Sequence, residues 1–210
     1  MNIILASGSR YKKAILTKLG IPFSCISPDI DESAKPDEDA EALSARLALA
    51  KANKVKALWQ ENNHSEQAAP IIVAVDQVAS HANKNLGKPG NYENASRQLA
   101  RFSNNTVTFY SAMTVIHPQF PAKTVIETYK VKFRELSAHQ IHQYLLSEEP
   151  YDCAGSFKCE GKGILLFQTM EGRDINSLVG LPLIALNEVL LGFGVDLLDH
   201  VKAMPTASTL

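Results

Sequence analysis

The run 2–6 is apolar from its second residue, Ile3, to Ala6, and between 10 and 19 apolar residues recur at Ala14, Ile15 and Leu19 with helical spacing before Gly20. This predicts a strand, a tight loop and a helix. A second strand is expected over 23–27, just after Pro22, and a long helix over 39–61, where Leu43, Leu47, Ala50, Lys54 and Leu58 share one face. Between them lies an acidic, proline-containing loop, 28–37, of a kind that carries function on a rigid scaffold. Residues 70–80 are too continuously apolar for a strand with one wet face and read as a central strand buried on both sides. Asn91 caps a helix from 92 to about 102, and 106–117 and 123–134 read as an antiparallel pair joined through the turn at 118–121. Ser137 and Gln140 make a capping box for a short helix to about 147. A further strand follows over 163–170, and a last helix over 181–191.

This mixture of strand-helix units with a meander predicts an α/β (α+β) protein with a mixed sheet. One domain is expected over 1–202, with 203–210 as a frayed tail. Hydrophobic residues make up 45% and charged residues 20%, ordinary for a globular chain, and the net charge of −1 disfavours a coat for nucleic-acid polymers. The apolar stretch 178–198 has membrane-spanning length but contains Pro182, Asn187, Glu188 and Asp196, so it reads as core loop and helix. Three cysteines without a C-x-x-C pair give neither a disulfide framework nor a zinc ribbon, and no secretory pattern opens the chain, so a cytoplasmic setting is expected.

Five groups of residues have a chemical reading beside a plainer one. In LASGSRYKK (5–13) a strand ends in small residues and a helix begins with cations, an arrangement that offers N–H groups, hydroxyls and a positive helix end to a phosphate, or simply a Ser-capped surface helix. Asp29, Asp31 and Glu32 can hold a hard cation or form a solvated acidic turn. Asp76, beside Gln77 in VAVDQVA, is a carboxylate in an apolar strand, expensive unless it is paired, bound to metal or facing a cleft. Lys51 and Lys88 alone would be surface residues, but beside a carboxylate-held cation they complete an apparatus for bringing water to a polyphosphate. The loop CAGSFKCEG (153–161) is a close-approach segment ending in Glu160, or a glycine turn. His139 and His142 lack a third ligand and belong to a surface face, and Trp59 to core or interface.

Together LASGSRYKK, DIDE, RLALAKA, VDQV, GKP, CAGSFKCEG and EGRDINSLVGLPLIAL, in that order from Ile3 to about Val195, resemble the Maf family of nucleoside triphosphate pyrophosphatases. DQV at Asp76, the NTVTFYSA segment and CAGSFKCEG with EGRD resemble its subgroup acting on 7-methyl-GTP. The resemblance implies an elongated ITPase-like fold with the active site between two lobes, a divalent cation (Mg2+ or Mn2+) and a cytoplasmic nucleotide hydrolase. By motif, Asp76 is then the catalytic residue, and Tyr11, Gln77 and Glu160 distinguish the substrate. Ser7, Ser9, Lys12, Lys13, Lys51 and Lys88 meet the phosphates, and Glu32 joins Asp76 at the metal. Lys12-Lys13 stands where the family usually has an arginine pair, keeping the charge without the bidentate fork. Two alternatives remain open, a relative acting on dTTP, UTP or CTP and a nucleotide-binding regulator of cell division. A homodimer is also compatible.

Overall fold

The computed structural model describes residues 2–62 and 68–201. The tail expected at 203–210 lies outside these residues. Strands β1 (Ile3–Ala6), β2 (Ser24–Cys25), β3 (Ile71–His81), β4 (Lys84–Leu86), β5 (Thr106–His117), β6 (Phe120–Phe133) and β7 (Phe167–Glu171) form one mixed sheet in the order β2-β1-β3-β5-β6-β7, with β4 on β3. Helices are α1 (Arg10–Lys18), α2 (Ala40–Asn62), α3 (Tyr92–Phe102), α4 (Ala138–Glu148), α5 (Ile175–Val179) and α6 (Leu183–Gly192).

Alternation along the central strands sends side chains to two different layers. Leu5, Val73 and Val75 pack with α1 and α6 through Leu16, Leu186 and Leu190, whereas Ile4, Ile72 and Ala74 pack with Ala52 and Val55 of α2. Trp59 lies half-buried against this second cluster. A separate core fills the other end of β5 and β6, where Phe102, Phe133 and Leu145 bring in α3 and α4. The three cysteines are free, and no helix among the described residues is long and apolar enough to cross a membrane.

The edges of β3 differ from each other. On one, β5 pairs continuously from Ile72 to Ser80. On the other, β1 pairs in parallel as far as Ala74 and β4 takes over only at Ala79. A four-residue window, 75–78, is thereby left without a strand neighbour, and Asp76 and Gln77 lie in its middle. It opens beyond the carboxyl end of β1, where open α/β sheets characteristically place their ligands.

The mixed sheet, the doubly buried β3 and the Asn91 and Ser137 caps are as the sequence predicts. Several boundaries differ. The second strand shrinks to Ser24–Cys25, because β1 offers it only two paired positions. The hairpin closes tightly enough for β6 to begin at Phe120. Residues 162–166 coil into a 3-10 turn before β7, and the last helix starts at Leu183, after the short α5 that the pattern does not reveal.

Candidate active site

β1 ends at Ala6, and the chain turns through Ser7 and Gly8 into α1. The Ser7 hydroxyl accepts from Ser9 N (3.1 Å), and the Ser9 hydroxyl caps the helix by accepting from Lys12 N (3.4 Å). With no acidic residue in its first turn, the positive end of α1 is left uncompensated at the mouth of the strand window. Here a cleft of about 980 Å³ opens. Ser7, Ser9 and Lys12 form part of one wall, and Glu32, Lys51 and Lys88 part of another.

On β3 the alternation that builds the two layers also separates the two polar neighbours. Asp76 points to the α2 side, where Lys51 of that helix places its ammonium 2.6 Å from Asp76 Oδ1 and 2.7 Å from Glu32 Oε1. Lys51 and Asp76 are 8% and 6% exposed, so a net charge on either would be costly without the other. Burial pulls the Lys51 pKa down, but Asp76 and Glu32 outweigh it and leave Lys51 above its ordinary value. Glu32 is pushed up by burial and pulled further down by Lys51, with Lys88 and Lys12 adding to that pull.

The loop carrying Glu32 is held from α2. Arg46 grips Glu38 through Nε (2.6 Å) and Nη2 (2.8 Å) and donates from Nη2 to the Ser33 carbonyl (2.9 Å). Asp31 is engaged locally, accepting from Ser33 N (2.9 Å), and among the described residues no three acidic, histidine or cysteine side chains cluster tightly enough to form a metal site by themselves. The acidic loop therefore contributes one carboxylate, Glu32, to the cleft rather than three.

Lys12 reaches the window from the α1 side and donates to the Val75 carbonyl at 3.2 Å, one residue past the end of the β1 ladder. Burial and the nearby charge of Lys51, reinforced by Lys88 and opposed by Asp76 and Glu32, lower its pKa to about 8. Lys13, the next residue, is exposed on α1 and does not line the cleft. Lys88 reaches the cleft from the loop after β4, itself tied back by Gln98 Nε2 donating to the Gly87 carbonyl (3.1 Å).

Gln77 points to the other layer. Its Nε2 donates to the carbonyls of Ser177 (2.8 Å) and Leu178 (3.0 Å) and to Ser111 Oγ (3.0 Å). Opposite, Tyr11 faces the 150–160 loop. Its hydroxyl accepts from Arg10 Nη2 (2.8 Å) and lies 3.4 Å from Asp152 Oδ2, while Arg10 pairs with Asp152 (3.2 Å) and covers the Tyr11 ring at 4.8 Å. One face of that ring is thus already occupied by a guanidinium. Burial, together with the Cys153 thiol, pushes the Tyr11 phenol up to about 12.

Glu160 lies exposed at the rim, next to Cys159, whose thiol is pushed up to about 12, first by burial and then by the Glu160 charge. The loop behind it is shaped by Gly155, at φ 78°, where a Cβ would sit 2.9 Å from Phe109 Cζ. Phe109 and Phe157 meet edge to face at 5.4 Å and give the cleft an aromatic floor on this side.

The cleft thus gathers the candidate catalytic, phosphate and specificity residues singled out from sequence except Lys13, and leaves out Asp29 and Asp31 of the acidic loop. Sequence reasoning does not find Arg46, Ser111, Asp152 or the aromatic floor. Arg46 and Asp152 carry no local signal, since each acts on a segment distant in the chain or across the cleft.

Fold and cleft define an α/β protein with a charged pocket at the open end of its parallel strands. A family model described as Maf-like protein matches residues 2–193, and the chain belongs to that family. It is 47% identical over 96% of its length to a 7-methyl-GTP pyrophosphatase of Pseudoalteromonas atlantica, all of which is covered. Proteins of the same name from Idiomarina loihiensis and Nitrosococcus oceani are each 44% identical, with 94% and 90% of this chain and 97% and 91% of theirs aligned. Among solved structures, the Staphylococcus aureus Ham1 protein overlays 64% of this chain and 73% of its own at 14% identity, with a TM-score of 0.42.

Proposed function

We propose that the protein hydrolyses 7-methyl-GTP to 7-methyl-GMP and pyrophosphate. The observation that carries this reading is alignment over at least nine-tenths of both chains with relatives that bear that one name. The cleft is suited to the chemistry. Asp76 is fixed in a buried strand and takes a proton from water as its oxygen attacks the α-phosphorus. The bond from that phosphorus to the bridging oxygen breaks, and the leaving pyrophosphate carries its charge towards Lys12, Lys51 and Lys88.

A hard divalent cation, magnesium or manganese, fits the donor set. Glu32 and Asp76, whose carboxylate oxygens both approach the Lys51 ammonium, at 2.7 and 2.6 Å, are the residues that would hold it. When bound, such an ion supplies Lewis-acid stabilisation of charge on the phosphate oxygens. A carboxylate has two oxygens, so Asp76 can serve both as ligand and as proton acceptor.

Methylation at N7 makes guanine a delocalised cation. Glu160 at the rim pairs with that charge, and the face of Tyr11 not covered by Arg10 is free to stack on the ring. The test is pyrophosphate release from 7-methyl-GTP, GTP, dTTP, UTP and CTP with magnesium or manganese, beside the Glu160→Ala variant. A preference for 7-methyl-GTP that collapses in the variant supports the reading. Preference for a pyrimidine nucleotide moves the protein to another branch of its family, and absence of cleavage of any nucleotide overturns the enzymatic reading.

A further inference from the structure

Gln77 has only one amide orientation open to it. Its nitrogen faces two backbone carbonyls, Ser177 O and Leu178 O, which can only accept. Its third partner, Ser111 Oγ, is 1% exposed and spends its own hydrogen on Ser177 O at 2.6 Å, leaving a lone pair for Gln77. A flipped amide would set oxygen against two carbonyl oxygens in a half-buried place, losing every one of these bonds.

The two carbonyls belong to the last turn of α5, where Ser177 O also accepts from the N–H of the capping Gly180 (3.1 Å). That short helix would not hold its own position, and Asp174 holds it. This carboxylate is 4% exposed. Its Oδ1 accepts from Asn176 N and Asn176 Nδ2, both at 2.8 Å, and its Oδ2 accepts from Ile184 N at the start of α6 (2.9 Å). Its backbone carbonyl accepts from Ser177 Oγ at 2.6 Å. One buried carboxylate thus joins α5 to α6 and sets the direction of the carbonyls that hold Gln77.

We propose that Asp174 and Ser111 are positioning residues that lock the Gln77 amide with its nitrogen inward, so that Gln77 offers the bound base a hydrogen-bond acceptor only. This rests on the 7-methyl-GTP reading for the identity of the base. A guanine edge carries N1–H and a 2-amino group, both donors, and an acceptor-only glutamine suits it. Cytosine presents a single donor, its 4-amino group, beside acceptors at N3 and O2, so it can give this oxygen one hydrogen bond where guanine gives two, and its N3 faces an oxygen that has no proton to offer. Selectivity at this residue therefore comes from a buried network outside the cleft as well as from Gln77 itself.

Two measurements on the full chain test the lock. The first is hydrogen exchange of the Gln77 side-chain amide by NMR in 15N-labelled protein, the resonance being assigned by its loss in Gln77→Met. Exchange at least roughly tenfold slower than that of the exposed Gln119 is expected in the unsubstituted protein, and faster exchange in Asp174→Asn, which loses the acceptor for Ile184 N, and in Ser111→Ala. The second is the ratio of kcat/KM for 7-methyl-GTP to that for CTP, expected to fall on the order of tenfold in both variants as a freed amide turns its N–H to the cleft. A purely structural role would lower both rates together and leave the ratio unmoved. Should Asp174→Asn fail to fold, Ser111→Ala carries both measurements. Gln77 exchanging as fast as Gln119, or an unchanged ratio in the folded variants, overturns the proposal. If the unsubstituted protein cleaves neither nucleotide, the proposed activity fails while the exchange measurement still decides the lock.

Discussion

Lys51 stands between Asp76 and Glu32, and these three charges depend on one another. Replacing Lys51 with Met leaves Asp76 charged and buried with its partner gone, a change expected to cost about 3 kcal/mol, read as a lower urea midpoint at unchanged slope. Asp76→Asn keeps the shape and removes the proposed proton acceptor. Turnover should fall by roughly three orders of magnitude or more while circular dichroism stays that of the parent, and full activity would remove Asp76 from catalysis. Lys12 supplies a pH dependence. Its pKa is about 8 in the folded protein against an ordinary value of 10.5, so the unfolded chain binds more protons between these two values. This group's contribution to stability accordingly rises with pH across that window, being a constant penalty below it. Over the same interval the cleft loses a cation, so kcat/KM for the nucleotide should fall as pH rises through about 8. Lys12→Arg, whose charge persists, should remove that limb. Asp76 is legible in the sequence because a carboxylate in an apolar strand is conspicuous. Lys51 is not, since its eight-in-a-hundred exposure follows from the α2 packing and from no feature of RLALAKA.

At the scale of elements, the long periodic segments are readable and the short ones are not. Caps at Asn91 and Ser137 and the apolar run of β3 each carry enough local preference to decide their state. By contrast, β4, α5 and the 3-10 turns take their form from distant partners. α5 exists because Asp174 accepts from both Asn176 N and Ile184 N, and β4 because β3 extends beyond β1. The 158–163 turn belongs to the same class and carries Glu160. A Cβ on Gly163 would lie 2.3 Å from the Lys158 carbonyl oxygen, so the backbone must shift. Gly163→Ala should destabilise by about 1–3 kcal/mol in thermal or urea unfolding. It should also weaken preference for 7-methyl-GTP over GTP more than it weakens turnover of GTP. A second element-level device is the Arg46 clamp on the acidic loop. Arg46→Ala frees the segment that presents Glu32, and the expected result is a raised magnesium requirement for activity with little change in melting temperature, measured by metal titration.

For the whole molecule, parity along one strand does much of the arranging. Asp76 and Gln77 are adjacent in sequence, yet they serve opposite layers, the first joined to α2 and the second to α5. The sequence shows both residues but not this division, which depends on which helices cover which face. Arg10 and Asp152 bridge the two walls of the cleft, but as an exposed pair they hold little energy, and Arg10→Ala should leave the melting temperature within about a degree or two. The window in β3 has a different kind of consequence. An unpaired strand edge is the feature by which sheets of separate molecules join into fibres, and most proteins hide it or blunt it with charge. This opening is four residues long, roughly 13 Å at strand rise, closed above and below by β1 and β4, with the Lys12 ammonium lying across it. A polypeptide strand cannot enter so short and guarded a gap. A base or a phosphate is small enough to do so, and the same break in the sheet that we propose as the nucleotide's entry protects the fold from its own copies.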